Sequence, residues 1–443
     1  MTASTGAADA LAVVDPATYE TGPPLEALRR LRSSGPVVWV DEPPLHGLPG
    51  GPGFWLVLRH ADVERVLRDP ATFSSWLGAT QVRDARDLAW ARQMMLNTDP
   101  PDHTRLRRLL NRSFTPRAVA ALTAEIDATA AGLVDRMIGR STAGTCDFAR
   151  DVAADLPLVS LAAVLGVPPE DRWLMFDWSN RVIGWQDPDY ASSASFDSSA
   201  GTDLARRAVA LRPAPDADGR MPDPRTREGM PDLYAYARLL AEAKRRAPGA
   251  DVMSVLLAQV DEDGGQVSDA EFQSMFWLFA VAGNETLRNG LPGGLIALLE
   301  HPDALADLRA DPALLPGAVD EMLRWWTPVM VFRRTARVDV ELAGVRMCAG
   351  DKVVVSFTSA NRDERVFGDP DRFDVHRAPN PHLSFGHGPH FCLGAQLARV
   401  QMRALFGELL RRTSRLELAG PPALLRSDFQ RGVKRLPLRW VAA

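Results

Sequence analysis

The hydrophobic pattern of the chain is mostly that of helices. Apolar residues recurring at intervals of three and four predict helices over 62–68, 104–112, 118–138, 155–165, 233–246, 269–299, 304–308, 315–325 and 393–412, with 269–299 much the longest. Short β-branched and aromatic runs predict strands at 54–58, 338–342, 352–357 and 436–441, and no internal repeat is visible. Residues 1–22 are small, polar and punctuated by Pro and Gly, so they are expected to form a flexible N-terminal segment; 45–52 has the same loop chemistry. One stretch interrupts the helical pattern. Over 186–231 a Ser/Ala-rich run passes into one carrying Pro213, Pro215, Gly219, Pro222, Pro224 and Gly229. Because helical periodicity resumes on both sides, this stretch reads as a mobile lid inside one domain spanning 23–443, not as a linker.

Composition narrows the class. With 443 residues, 46% of them hydrophobic and 24% charged, the chain has the balance of a globular protein with a sizeable core, and wholesale disorder is excluded. The net charge of −5 gives no bulk basic field for nucleic acid or an anionic membrane. No run approaches the roughly 18 apolar residues of a membrane span, and residues 1–9 lack the basic and apolar regions of a signal peptide. Three scattered cysteines, Cys146, Cys348 and Cys392, suit neither a disulfide framework nor a paired-cysteine zinc site, and a cytoplasmic location is expected.

The richest chemistry lies near the end of the chain, in Phe385-Gly386-His387-Gly388-Pro389-His390-Phe391-Cys392-Leu393-Gly394, directly before the 393–412 helix. Glycines 386, 388 and 394 permit positive φ and let a flat ligand lie close to the main chain. A cysteine at a helix start is biased toward thiolate, the form that ligates metal. Taken alone, Cys392 could equally be a small core residue, the usual fate of an isolated intracellular cysteine. The full pattern F-G-x-G-x-H-x-C-x-G is not isolated, and with it the sequence resembles the cytochrome P450 family of haem-thiolate monooxygenases from about residue 56 to the C-terminus. Haem held by a Cys thiolate is the recognised property of that family.

The resemblance implies a mainly α (α+β) cytochrome P450 fold with small β-sheets and haem b between the long central helix and the helix after the cysteine loop. It implies a cofactor site made of Phe385, Gly386, His390, Cys392 and Gly394, with Cys392 the iron ligand. Glu321 and Arg324 match the family's E-x-x-R, an i,i+3 pair that the family joins to a later arginine, here Arg377 with Arg372 in reserve. On its own such a pair is a common surface feature. Haem carboxylates require cations, and the family places them at His103 and Arg107, four apart in Asp102-His103-Thr104-Arg105-Leu106-Arg107, and at Arg334 and His382.

On the long helix the apolar pattern breaks at Ala282-Gly283-Asn284-Glu285-Thr286, matching the family's A-G-x-[D/E]-T. Delivering protons to O2 in a dry site calls for an acid beside a hydroxyl, which Glu285 and Thr286 supply, while Ala282 and Gly283 leave room for O2 and for a local distortion of the helix. Trp76, Leu77, Trp277, Val281, Val329, Met330, Val331 and Phe429 are the expected apolar substrate pocket, although aromatics there also suit a plain core. The local sequence is most similar to family members acting on steroids and monoterpenoids, so a lipophilic small molecule is the expected substrate. No G-x-G-x-x-G follows a strand and no four-cysteine spacing exists, so electrons are expected from NAD(P)H through a separate ferredoxin and ferredoxin reductase. Arg105, Arg108 and Arg112, with Arg399 and Arg403, form candidate docking stripes. Other oxidations by the same family chemistry, such as ring coupling or desaturation, and a non-turnover haem sensor remain as rival readings.

Overall fold

The computed structural model describes residues 2–47, 49–111, 116–192, 200–217, 221–260 and 264–443. It is helix-rich, 53% helical, with small sheets. The chain divides into two compact units, one built from 1–84, 126–155 and 286–443, the other from 85–125 and 156–285. The sequence had suggested one domain over 23–443. No linker marks three of the boundaries because they fall inside continuous helices, Pro116–Ile138, Asp155–Leu165 and Asp269–Glu300.

The first unit is organised by a five-stranded sheet in the order Val37–Val40, Phe54–Val57, Lys352–Ser356, Val331–Ala336, Phe73–Ser74. Phe54–Val57 pairs in parallel with Lys352–Ser356, and the other neighbours are antiparallel. The period of two places Leu56 and Val354 in one core cluster with Val40, Phe54 and Met330, while Val57, Val353 and Val355 join Val63, Leu67 and Phe357 in another. Lys352–Ser356 is therefore buried on both faces, which its unbroken Val run anticipates. A second sheet joins Ala143–Asp147, Pro437–Ala442 and Thr413–Leu418.

Residues 1–22 depart from the expected flexible segment. Thr2–Val14 is an α-helix and Pro16–Thr21 a 3₁₀ turn. The alanines among the residues that resemble a tail are good helix formers, and Val13, Val14 and Tyr19 bury in the sheet's core. Arg30 clamps Asp9 through Nε (2.9 Å) and Nη2 (2.6 Å), and the Tyr19 hydroxyl donates to the Val13 carbonyl at 2.9 Å.

The second unit is a helical cluster including Asp102–Asn111, Arg172–Ile183, Pro231–Arg246 and the first half of Asp269–Glu300. Its centre is aromatic: Trp178, Tyr236 and Phe276 meet with ring centroids 5.4–6.0 Å apart. Within the 186–231 stretch, expected as a mobile lid, the described residues form helices at Pro188–Ala191 and Asp203–Val209. Buried Asp171 accepts the Thr202 amide (2.8 Å), the Thr202 hydroxyl (2.7 Å) and the Tyr236 hydroxyl (2.8 Å), and Arg212 donates to buried Asp177 at 2.9 Å. The described parts of the stretch are thus tied down by carboxylates on the neighbouring helix and its entry turn; 193–199 and 218–220 lie outside the described residues.

Candidate functional site

In the first unit, the cysteine loop folds as its glycines demand. Gly386 and Gly388 have φ of +71° and +69°, and a Cβ on Gly388 would lie 2.5 Å from the Leu67 carbonyl oxygen, so glycine is required there on two counts. The Cys392 amide donates to the Phe385 carbonyl at 2.9 Å, closing the loop, and Gly394 caps the Ala395–Arg412 helix. This leaves Cys392 exposed, beside a Phe391 ring that is 42% exposed and edge-on to Phe385. His390 Nε2 lies 3.3 Å from Ser75 Oγ.

The structure brings Glu321, Arg324 and Arg377 together. Fully buried Arg324 donates to both oxygens of Glu321 at 2.7 Å, and Arg377 Nε sits 3.3 Å from Oε1 and 3.2 Å from Oε2. Arg324 also donates to the carbonyls of Asn361 (2.8 Å), Pro370 (2.9 Å) and Arg372 (3.1 Å), while Glu321 accepts the Asp374 amide (2.9 Å) and Asn380 Nδ2 (3.1 Å). Arg372, the reserve, contributes its backbone. The pair therefore fastens the 361–380 approach to the cysteine loop.

Arg334, on the central sheet, is 2% exposed and donates through Nη1 to the Arg333 carbonyl. His382 is engaged at both ring nitrogens: Nε2 lies 3.2 Å from Asp320 Oδ1, and Nδ1 is 3.3 Å from the Ser384 amide. Burial holds its imidazole below the ordinary value against the pull of Asp320. Asp320 itself ends below the usual carboxylate range, because hydrogen bonds from His382 and Arg399 outweigh its burial. In the second unit His103 is 2% exposed on the Asp102–Asn111 helix, and Arg107 Nε donates to Asn111 Oδ1 at 3.2 Å.

The long helix is buried at every position over 272–281, then exposes Ala282 and Gly283 before burying Asn284 and Glu285, with Thr286 half-buried. It stays α-helical throughout, without the local distortion expected at Gly283. Gly283 fits closely instead: a Cβ there would lie 3.0 Å from Leu161 Cδ1. Asn284 Nδ2 donates to Ser179 Oγ at 3.0 Å. Glu285 Oε1 accepts a hydrogen bond from the buried hydroxyl of Tyr190, a residue the sequence reading passed over. Its signal was faint, one of only four tyrosines, set just ahead of a Ser/Ala-rich run.

The expected pocket residues divide. In the first unit Val329 bridges Gln430 and the Met330 amide donates to the Phe429 carbonyl (3.0 Å), so these segments adjoin, but Met330 and Val331 belong to the buried sheet core. Trp76 is 40% exposed and Leu77 half-buried. In the second unit Val281 is buried, and Trp277 stacks edge-on with Trp90, which meets Tyr234 in turn. Of the candidate docking arginines, Arg105 pairs with Glu271, Arg108 is exposed, and Arg112 lies outside the described residues. Arg399 donates to Asp320 at 2.8 Å and lies over the Phe385 ring, while Arg403 is half-buried.

The donor set suits a haem. Among the described residues no group of three or more His, Cys, Asp or Glu could hold a bare ion. A metal on Cys392 therefore needs its remaining ligands from another molecule, which a porphyrin provides, and the exposed thiol beside Phe391 offers one soft ligand on an apolar face. Among the described residues no helix is long and apolar enough to cross a membrane.

The cytochrome P450 family model matches residues 238–421. A steroid C26-monooxygenase of Mycolicibacterium smegmatis is 38% identical over 428 residues, covering 95% of this chain and 91% of its own. A methyl-branched lipid omega-hydroxylase of Mycobacterium tuberculosis is 37% identical over 416 residues, 94% and 90% of the two chains. Among solved structures, CYP108D1 from Novosphingobium aromaticivorans has a TM-score of 0.81 at 34% identity, with 99% of each chain covered. Mycobacterium marinum cytochrome P450 CYP268A2, in complex with pseudoionone, has a TM-score of 0.80 at 36% identity, covering 93% of this chain and 94% of that one.

Proposed function

The chain belongs to the cytochrome P450 family of oxygen-dependent oxidoreductases, and from that premise we propose that it hydroxylates a lipophilic small molecule of steroid or terpenoid type. The observation that carries the proposal is the exposed Cys392 thiol, presented by a loop whose Gly388 has no room for any other side chain. Relatives named for steroids and for a methyl-branched lipid support the substrate class.

Cys392 would ligate the iron, with Arg334, His103 and Arg107 offered to the haem carboxylates, whereas His382 would have to give up Asp320 to join them. When bound, haem supplies the site for O2 and the redox chemistry that inserts one oxygen atom into a C–H bond. The chain's own part is positioning and proton handling. The Glu321–Arg324–Arg377 cluster keeps the segment before the loop rigid, so the thiol is held before any ligand arrives. Glu285 and Thr286 are the acid and hydroxyl that would hand protons inward, Glu285 from a buried position and Thr286 from a half-buried one. Exposed Ala282 presents only a methyl group, while Gly283 lets Leu161 pack closely against the helix. Electrons would come from NAD(P)H through a ferredoxin and its reductase, with Arg108 the docking arginine that stands exposed among the described residues.

The test is a pair of measurements on native chain and Cys392→Ala. Reduced under carbon monoxide, the native chain is expected to give the red-shifted thiolate-type Soret band and the variant none. With a surrogate ferredoxin and reductase, NADH consumption in the presence of steroid or branched-lipid candidates should yield a product heavier by one oxygen atom. Spectral shifts on ligand addition with no product from any of them would replace this reading by a haem sensor.

A further inference from the structure

We propose that Tyr190 is the positioning residue for Glu285, fixing through its hydroxyl the carboxyl group that delivers protons. The inference rests on the role given to Glu285 above and extends it to a second residue, on a different element of the same unit.

Glu285 is completely buried, and a buried carboxylate must find hydrogen-bond donors. The Tyr190 hydroxyl is one such donor, given to Oε1, from a side chain only 3% exposed. A tyrosine is suited to this: the ring is rigid, with two torsions to fix, and its hydroxyl is weakly acidic, so it can hold a carboxylate without taking its place as the acid. A Glu side chain on a helix has three torsions of its own. Anchoring one oxygen selects one arrangement of the carboxyl group, which proton transfer over a single hydrogen-bond length requires.

Tyr190 is itself held by the local backbone. It lies in the short Pro188–Ala191 helix, whose cap Asp187 accepts the Tyr190 amide at 3.2 Å, with Pro188 at the first helical position. Gly184, just after the Arg172–Ile183 helix, lets this turn fold back. A Cβ there would lie 2.6 Å from the Ala191 amide nitrogen and 3.1 Å from Tyr190 Cδ1. Beside Glu285, Asn284 donates to Ser179 on the same Arg172–Ile183 helix, fixing the long helix against the element that carries the tyrosine turn. The 184–191 turn thus places one hydroxyl on one carboxyl group.

The test compares native holoenzyme with Tyr190→Phe, which removes one oxygen atom, and Glu285→Gln. The infrared difference between native and Glu285→Gln identifies the Glu285 carboxyl band, and Tyr190→Phe must shift it. Turnover driven by NADH through a surrogate ferredoxin and reductase draws two protons from the protein for each O2 and should fall about tenfold in Tyr190→Phe, the scale of one lost buried hydrogen bond. Turnover driven by hydrogen peroxide, which brings its own oxygen, electrons and protons, should stay within about twofold, whereas a merely structural defect would lower both. An unmoved carboxyl band, an unchanged NADH-driven rate, or equal losses under both oxidants in Tyr190→Phe would each overturn the proposal. Undiminished NADH-driven turnover in Glu285→Gln would instead overturn the reading of Glu285 on which it stands.

Discussion

Replacing Arg324 with methionine should be among the most damaging single changes available outside the haem ligand. The guanidinium has no exposed surface and makes five hydrogen bonds: two to Glu321 at 2.7 Å and one each to the carbonyls of Asn361, Pro370 and Arg372. Methionine fills similar volume, so the loss is electrostatic. Glu321, equally buried, keeps Arg377, the Asp374 amide and Asn380 but loses its bidentate partner, and three carbonyls lose a donor. Breaking a buried pair on one side costs about 3–5 kcal/mol. With an unfolding entropy of about 2.1 cal/mol/K per residue, a loss of about 4 kcal/mol lowers the melting temperature by about 4 °C if all 443 residues unfold together, and by more if the first unit melts alone. Arg377→Met should cost less, about 1–2 kcal/mol, because Glu321 would keep Arg324. Calorimetry on the two variants and the native chain decides. A melting temperature for Arg324→Met within 1 °C of native, or below which Arg377→Met falls further, would refute the assignment of Arg324 as the main tie.

Two further outcomes follow from ionisation. His382 has an imidazole depressed below its ordinary 6.5 by burial, so on acidification the unfolded chain takes up a proton before the folded one does. Stability is then complete above pH 6.5 and declines as pH falls from there to the depressed folded value, by at most about 1.4 kcal/mol per pH unit for one group. Denaturant titrations between pH 7.5 and 5 should show this slope in the native chain and a flatter one in His382→Asn; equal slopes would remove His382 from the account. Burial, aided by Asp151 and Asp147, pushes the Cys146 thiol up to about 12, whereas Cys348 is exposed. At pH 8 a thiol of that kind is only about 10⁻⁴ ionised, so mass mapping after brief iodoacetamide treatment should find Cys348 alkylated and Cys146 intact, and equal labelling would contradict the burial argument.

The helices and the cysteine loop were largely legible because their signals are local. Asp155–Leu165 has the predicted bounds, and the long helix differs from its forecast by one residue at its end. Strands such as Val331–Ala336 and Thr413–Leu418 were missed, since their residues include Arg, Thr and Glu and their partners are distant in sequence. The Thr2–Val14 helix was read as a tail because its stabilisation comes from packing Val13, Val14 and Tyr19 against the sheet, which composition does not reveal. At the site, residues in a fixed spacing such as Glu321 and Arg324 could be paired on paper. Asp320, which shares His382 with Ser384, and Tyr190, which reaches Glu285, could not, because no spacing rule connects them.

The three-stranded sheet carries a consequence for biosynthesis. Ala143–Asp147 has its partner in Pro437–Ala442, and Leu436 donates its amide to an Asp147 oxygen 289 residues away. At about 5–20 residues per second, a ribosome needs roughly 15–60 s to supply the missing central strand. During that interval the nascent Ala143–Asp147 segment has a backbone without its strand partner, a template for intermolecular pairing. Expression yield of this chain should therefore respond to elongation rate and growth temperature more than its folded stability alone would suggest.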